Sequence, residues 1–142
     1  MDIDPDEVPK PPYYDTLGIE ILDVEPGFAV GVMPVDTDVS ASPTTPIAHG
    51  GAIASLADSV GYWAVSAAND LSMTPTIDLR IDYHAPATDD LRAEATVTRN
   101  GSSVGTVDVD VTVDEKTVAT ARGVFKTGGG SGGDTAWETP TE

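Results

Sequence analysis

Four residues at one point of the chain carry the types and spacing that could do chemistry: His49, Gly50, Gly51 and Asp58. A carboxylate in a sheltered place is a base or a nucleophile. Paired glycines ahead of a helix leave backbone amides that a substrate can approach closely. Together these are the parts needed to attack a carbonyl: donors for the developing oxyanion and a group to activate water. A histidine at the same boundary either supports that site or braces the chain through a backbone bond. One His and one Asp nine residues apart form no recognisable ligand set, so neither a metal nor a cofactor is expected. The chain has no cysteine, which excludes disulfides and thiol catalysis.

The element that must position these groups is a helix. Ile53, Leu56, Ala57, Val60 and Ala64 recur at helical spacing and make one apolar stripe. Pro46 ahead of it and Asn69-Asp70 behind it bound a helix of about five turns. Asp58 lies off the stripe, and its neighbours three and four residues away are Ala54, Ser55, Gly61 and Tyr62, mostly small. Gly50 and Asp58 are eight residues apart, roughly 12 Å at 1.5 Å per residue. One helix does not easily set both against one carbonyl. Two antiparallel copies do, so the spacing predicts a symmetric dimer with two shared sites.

Around the helix, period-two alternation predicts strands. Leu17, Ile19 and Ile21 mark one across residues 13–24, and Phe28, Val30 and Val32 mark a second after the Glu25-Pro26-Gly27 turn. Beyond the helix, residues 76–83 alternate, as do Leu91, Ala93, Ala95 and Val97. The dipeptide Asn100-Gly101 signals a hairpin into Val107, Val109, Val111 and Val113, and Asp114-Glu115-Lys116 turns into residues 118–125. Strand, strand, long helix, four strands is an α+β order: an antiparallel sheet of about six strands wrapped around one central helix. Residues 1–12, rich in proline, are expected to be a flexible arm, 13–126 the domain, and the Gly-rich acidic stretch 127–142 a disordered tail.

The 142 residues carry 24 acidic side chains against 7 basic, a net charge of −17. The acidity is dispersed, including along the strands, and Lys10, Lys116 and Lys126 are the only lysines. Dispersed acidity with scarce lysine reads as adaptation to a salt-rich cytoplasm, where screening lengths shrink to about 3 Å at molar salt. It excludes nucleic-acid binding, which needs a basic face. No apolar run reaches membrane-spanning length and the N-terminus is acidic, so a cytoplasmic protein is expected.

The signature His49-Gly50-Gly51, six residues, Asp58, then Thr76-Ile77-Asp78-Leu79-Arg80-Ile81-Asp82-Tyr83 and Pro86, resembles the hotdog-fold acyl-CoA thioesterases of the phenylacetate-degradation (PaaI-like) type. The resemblance spans about residues 14–126. It implies a hotdog fold and hydrolysis of an acyl-CoA thioester, in a homodimer or a dimer of dimers. The Gly50 amide would polarise the carbonyl and Asp58 would activate water or attack directly. His49 would support the loop and the carbonyl site, and Thr76 would assist. Gly51, Ser55 and Tyr62 are assigned to the substrate. Coenzyme A is polyanionic, and among the few cations Arg99 and Lys126 are its expected contacts. One position departs from the family pattern: many members carry asparagine six residues before the histidine, and here it is Pro43, with Ser42, Thr44 and Thr45 as polar substitutes. A non-catalytic acyl-CoA binder and a hotdog dehydratase or hydratase are the competing functions.

Overall fold

The structure, a computed structural model, describes residues 3–128. It holds a six-stranded antiparallel sheet, with strands β1 (Glu20–Glu25), β2 (Phe28–Met33), β3 (Thr76–Tyr83), β4 (Leu91–Asn100), β5 (Val104–Val113) and β6 (Lys116–Lys126). Their spatial order is β1-β2-β4-β5-β6-β3. The expected α+β architecture is the observed one: the sheet wraps a central helix, α2 (Gly50–Ala67). Ile53, Leu56, Ala57, Val60 and Ala64 are all buried against it, as the stripe requires. Burying a side chain such as Leu56 contributes about 1.5–3 kcal/mol.

One expectation about the first strands needs correction. The strand expected over 13–24 starts only at Glu20, because Pro12–Leu17 forms a short helix, α1. Pro12 sits in its first turn, where a missing N–H costs nothing. Gly18 ends it in the left-handed region at φ 80°, its N–H bonded to the Tyr14 carbonyl. Ahead of α1, residues 5–7 make a 3-10 turn and Val8 is buried in the core. On β2 the alternating Phe28, Val30 and Val32 mark a strand, yet Ala29, Gly31 and Met33 are the residues that face α2. The helix lies too close for larger side chains there. A Cβ on Gly31 would stand 2.7 Å from Val60 Cγ2.

The later strands follow their patterns. Leu91, Ala93 and Ala95 on β4 and Val107, Val109 and Val111 on β5 are buried, whereas Asp108 and Asp110 are exposed. Asp114 and Glu115, at φ 48° and 70°, make the left-handed pair that a tight hairpin needs. At Asn100-Gly101 the connection is longer, and β5 resumes at Val104. Among the described residues β3 pairs only with β6 and is an open edge, so its alternation does not bury its apolar row evenly. Ile77 is 57% exposed and Tyr83 51%, while Leu79 and Ile81 pack partly on the core. The stretch from residue 129 onward lies outside the described residues.

Candidate active site

The chain reaches α2 through a loop tied by Ser40, whose hydroxyl donates to the Ser42 and Thr45 carbonyls and accepts the Ile47 N–H. His49 then caps the helix. Its Nδ1 accepts the Gly51 N–H at 2.8 Å, and its carbonyl accepts the N–H groups of Ala52 and Ile53. A ring nitrogen that accepts is unprotonated, so in the neutral ring the proton sits on Nε2. These bonds satisfy the first turn except at one place: the Gly50 amide has no partner among the described residues. Gly51, by contrast, spends its amide on the cap. The donor expected at Gly50 is therefore open, and His49 acts as a brace.

Gly50 lines a cavity of about 410 Å³ together with Ile53, Tyr83 and His84. The Tyr83 hydroxyl donates to the Gly50 carbonyl at 2.6 Å, and a Cβ on Gly50 would lie 3.2 Å from the phenol carbon and oxygen. His84 is turned to Thr120, at 2.9 Å.

Asp58 stands two turns further along, half-buried, and opens into a different cavity of about 660 Å³. Thr76, the first residue of β3, donates its hydroxyl to Asp58 Oδ1 at 2.7 Å. Burial raises the Asp58 pKa above the ordinary carboxylate value, and the Thr76 bond partly offsets that rise. The cavity wall is mostly apolar and aromatic, with Tyr14, Tyr62, Trp63, Leu71, Met73 and Pro75. Trp63 donates its indole N–H to the Tyr14 hydroxyl at 3.0 Å and meets Tyr62 edge to face at 5.0 Å. Burial raises the Tyr14 pKa, with bonds to Ser59 and Trp63 acting against it. Ser55 lines the same cavity but is already engaged, donating to the Gly51 carbonyl at 2.9 Å and sharing a 2.8 Å bond with Tyr13.

The structure thus joins Asp58, Thr76, Ser55 and Tyr62, and separately groups His49, Gly50 and Gly51. Arg99 lines neither of these cavities. Lys126 points at the Gly128 carbonyl, although its backbone N–H holds Pro75, a wall residue. The cation that does line the Asp58 cavity is Lys10, on the segment expected to be an arm. Tyr13, Tyr14, Leu71 and Met73 also went unassigned to the site in the sequence. The signal for the first two was Pro11-Pro12 followed by Gly18, a short helix with its start and stop marked. Leu71 had none, since its φ of 59° is a tertiary constraint. Ser42, a polar substitute near Pro43, holds the Thr44 and Thr45 amides of its own turn. Among the described residues no cluster of His, Cys, Asp or Glu could hold a metal, and no helix is long and apolar enough to cross a membrane.

Residues 45–120, which hold His49, Gly50, Asp58 and Thr76, match the thioesterase superfamily model. The chain belongs to the thioesterase superfamily. Another sequence similar to this superfamily member is a Halobacterium salinarum protein named provisionally as an esterase. The two are 39% identical over 88 residues, and the match covers 55% of this chain and 58% of the relative, so the chain spans less than two thirds of that protein's length. Among solved structures, one described as from the thioesterase superfamily is 31% identical, covering 82% of this chain and 89% of that one at a TM-score of 0.75. A variant of the phenylacetic acid degradation protein PaaI from Thermus thermophilus is 28% identical, covering 82% and 99%, at a TM-score of 0.74. These likenesses agree with the hotdog architecture of sheet and central helix.

Proposed function

We propose that the protein hydrolyses an acyl-CoA thioester to a carboxylic acid and free coenzyme A. The observation that carries this reading is Asp58: a half-buried carboxylate in mid-helix, held by Thr76 at the side of an apolar cavity. Burial makes it a better base than an exposed aspartate, and the Thr76 hydroxyl holds one oxygen, leaving the other without a side-chain partner among the described residues. Asp58 takes a proton from water as the oxygen attacks the thioester carbon. The Gly50 amide, aided by the helix dipole, stabilises the oxyanion, and the C–S bond breaks as the thiolate leaves and is protonated. In the variant step, Asp58 attacks first and water then hydrolyses the anhydride.

The two groups open into different cavities of one chain, and pairing of two copies through β3 would bring them together. Thr76 begins that strand beside Asp58, and Tyr83 ends it beside Gly50. β3 is an open edge with Ile77 and Tyr83 exposed, the kind of edge a second copy covers. Paired antiparallel about its middle, the strand sets Tyr83 across from Thr76 of the partner subunit, about 5 Å away. Gly50 then faces Asp58 of the partner subunit, twice per dimer. Tyr62 and Trp63 are the acyl wall, and Lys10 is better placed than Arg99 to meet an anionic part of the substrate.

A panel of aromatic and aliphatic acyl-CoAs, assayed for thiol release in molar salt, tests the reading. Release by the wild type, with Asp58→Ala still binding ligand but turning over 10² to 10⁴ more slowly, is the expected result. Binding without release would favour the acyl-CoA binder instead. Enoyl-CoA hydration without thiol release would favour the hydratase.

A further inference from the structure

We infer that Tyr83 is the positioning residue of the carbonyl end of the site, an inference that rests on the thioesterase reading above. Tyr83 performs three tasks around Gly50. Its hydroxyl donates to the Gly50 carbonyl at 2.6 Å, pinning the first turn of α2 to the end of β3. Its ring occupies the space where a side chain at position 50 would sit, with contacts of 3.2 Å from the Cβ position. The same ring walls the cavity onto which the Gly50 backbone faces.

The hydroxyl proton is spent on the carbonyl, so Tyr83 has none left to donate to a substrate oxygen. Its effect passes through Gly50. The turn bearing the free amide is fixed in place by the bond, and the ring covers the side of position 50 where a Cβ would sit. A preorganised donor stabilises a developing oxyanion without having to reorganise during the reaction. Helix-terminal turns otherwise fray, and the His49 cap and the Ser55 hydroxyl hold this one only at Gly51, not at Gly50. Because Tyr83 ends the edge strand, its place is also set by whatever pairs with β3. The amide end would reach its working geometry when the second copy docks.

The test uses the full-length dimer in molar salt. Tyr83→Phe keeps the ring and removes one hydrogen bond. Its kcat should fall about tenfold, with KM within about twofold of wild type, since the bond aids the transition state rather than ground-state binding. The acid limb of its pH profile, set by Asp58 at the other end, should not move. Tyr83→Ala also loses the wall and should fall further, toward the 10² to 10³ of a lost oxyanion donor.

Mixed dimers separate positioning from general damage. Chains carrying Tyr83→Ala, co-refolded with Asp58→Ala chains, should regain about a quarter of wild-type activity, because one site in each mixed dimer combines both good ends. Co-refolded with Gly50→Val chains they should regain none, because both variants break the same end. The opposite pattern, or full kcat in Tyr83→Phe, would overturn the inference while leaving the thioesterase reading intact. If Tyr83→Ala chains do not refold, the kcat of Tyr83→Phe decides alone. Absence of thiol release by the wild type would overturn the reading and the inference together.

Discussion

Thr76 Oγ1 stands 2.7 Å from Asp58 Oδ1 and joins the middle of α2 to the first residue of the edge strand. One bond thereby links the carboxylate to β3, which with β1 is an edge of the sheet among the described residues. Burial raises the carboxylate's basicity, and this bond opposes part of that rise.

Replacing Thr76 with valine removes that opposition at nearly constant volume. The Asp58 pKa should rise further, so the acid limb of kcat/KM should move to higher pH. A profile of thioester hydrolysis from about pH 4 to 8 reads it directly. A limb that stays in place, or moves down, would disprove the role given to Thr76.

Asp58 has a cost in stability whose sign can be worked out. Its folded pKa is raised, so the folded state holds the proton more tightly than the unfolded chain does. The charged carboxylate therefore destabilises the fold above its folded pKa. That penalty fades as pH falls toward the ordinary value of 3.8. Asp58→Asn should melt higher than wild type at pH 7, with the difference shrinking as the pH approaches 4. Thermal melts at matched salt would show this, and a gap that widened on acidification would contradict it.

The shared site yields its own test, with no substitution at Tyr83. Asp58→Ala chains keep the amide end, and Gly50→Val chains keep the carboxylate end. The valine must displace Tyr83, which lies against position 50. Each variant should be nearly dead alone, and co-refolding them should restore roughly a quarter of wild-type activity under isologous pairing. No recovery, with mixed dimers verified by native mass spectrometry, would place both groups in one chain.

Salt should matter to the whole molecule. With a net charge of −17, two ion pairs are formed among the described residues, Arg92–Glu94 at 3.7 Å and Arg122–Asp108 at 3.6 Å, both exposed. Such pairs contribute about 0–1 kcal/mol each and do not offset the repulsion. The melting temperature and the dimer fraction should both rise between dilute buffer and molar KCl. A melting point flat across that series would remove the salt-adaptation reading.

Much of this was legible in the residues. The stripe from Ile53 to Ala64 fixed the helix, and valines alternating with aspartates on β5 fixed a strand with one wet face. The motif spacing placed Asp58 off the stripe, where the structure finds it beside a cavity. What escaped notice depended on distance in space. Lys10 and Tyr13 reach the cavity because α1 folds back over α2, and no local pattern reports that return. Which face of β2 meets the helix was not legible for a similar reason: Val60, nearly thirty residues away, leaves room only for Gly31. Tyr83 read as one more alternating strand residue, and its bond to Gly50 appears only when β3 and α2 are set side by side.

The pairing of Trp63 with Tyr14 has a practical side. The indole forms part of the cavity wall, and its N–H is committed to a phenol whose own bonds include Ser59. The ring is already buried, so an acyl group entering there would act on it by changing the packing and polarity of the wall rather than by drying it. The chain therefore carries a built-in optical gauge of occupancy, since the emission intensity of Trp63 should change as the cavity fills. With the second tryptophan, Trp137, changed to phenylalanine, titration with a non-hydrolysable thioester analogue would report filling from a single fluorophore.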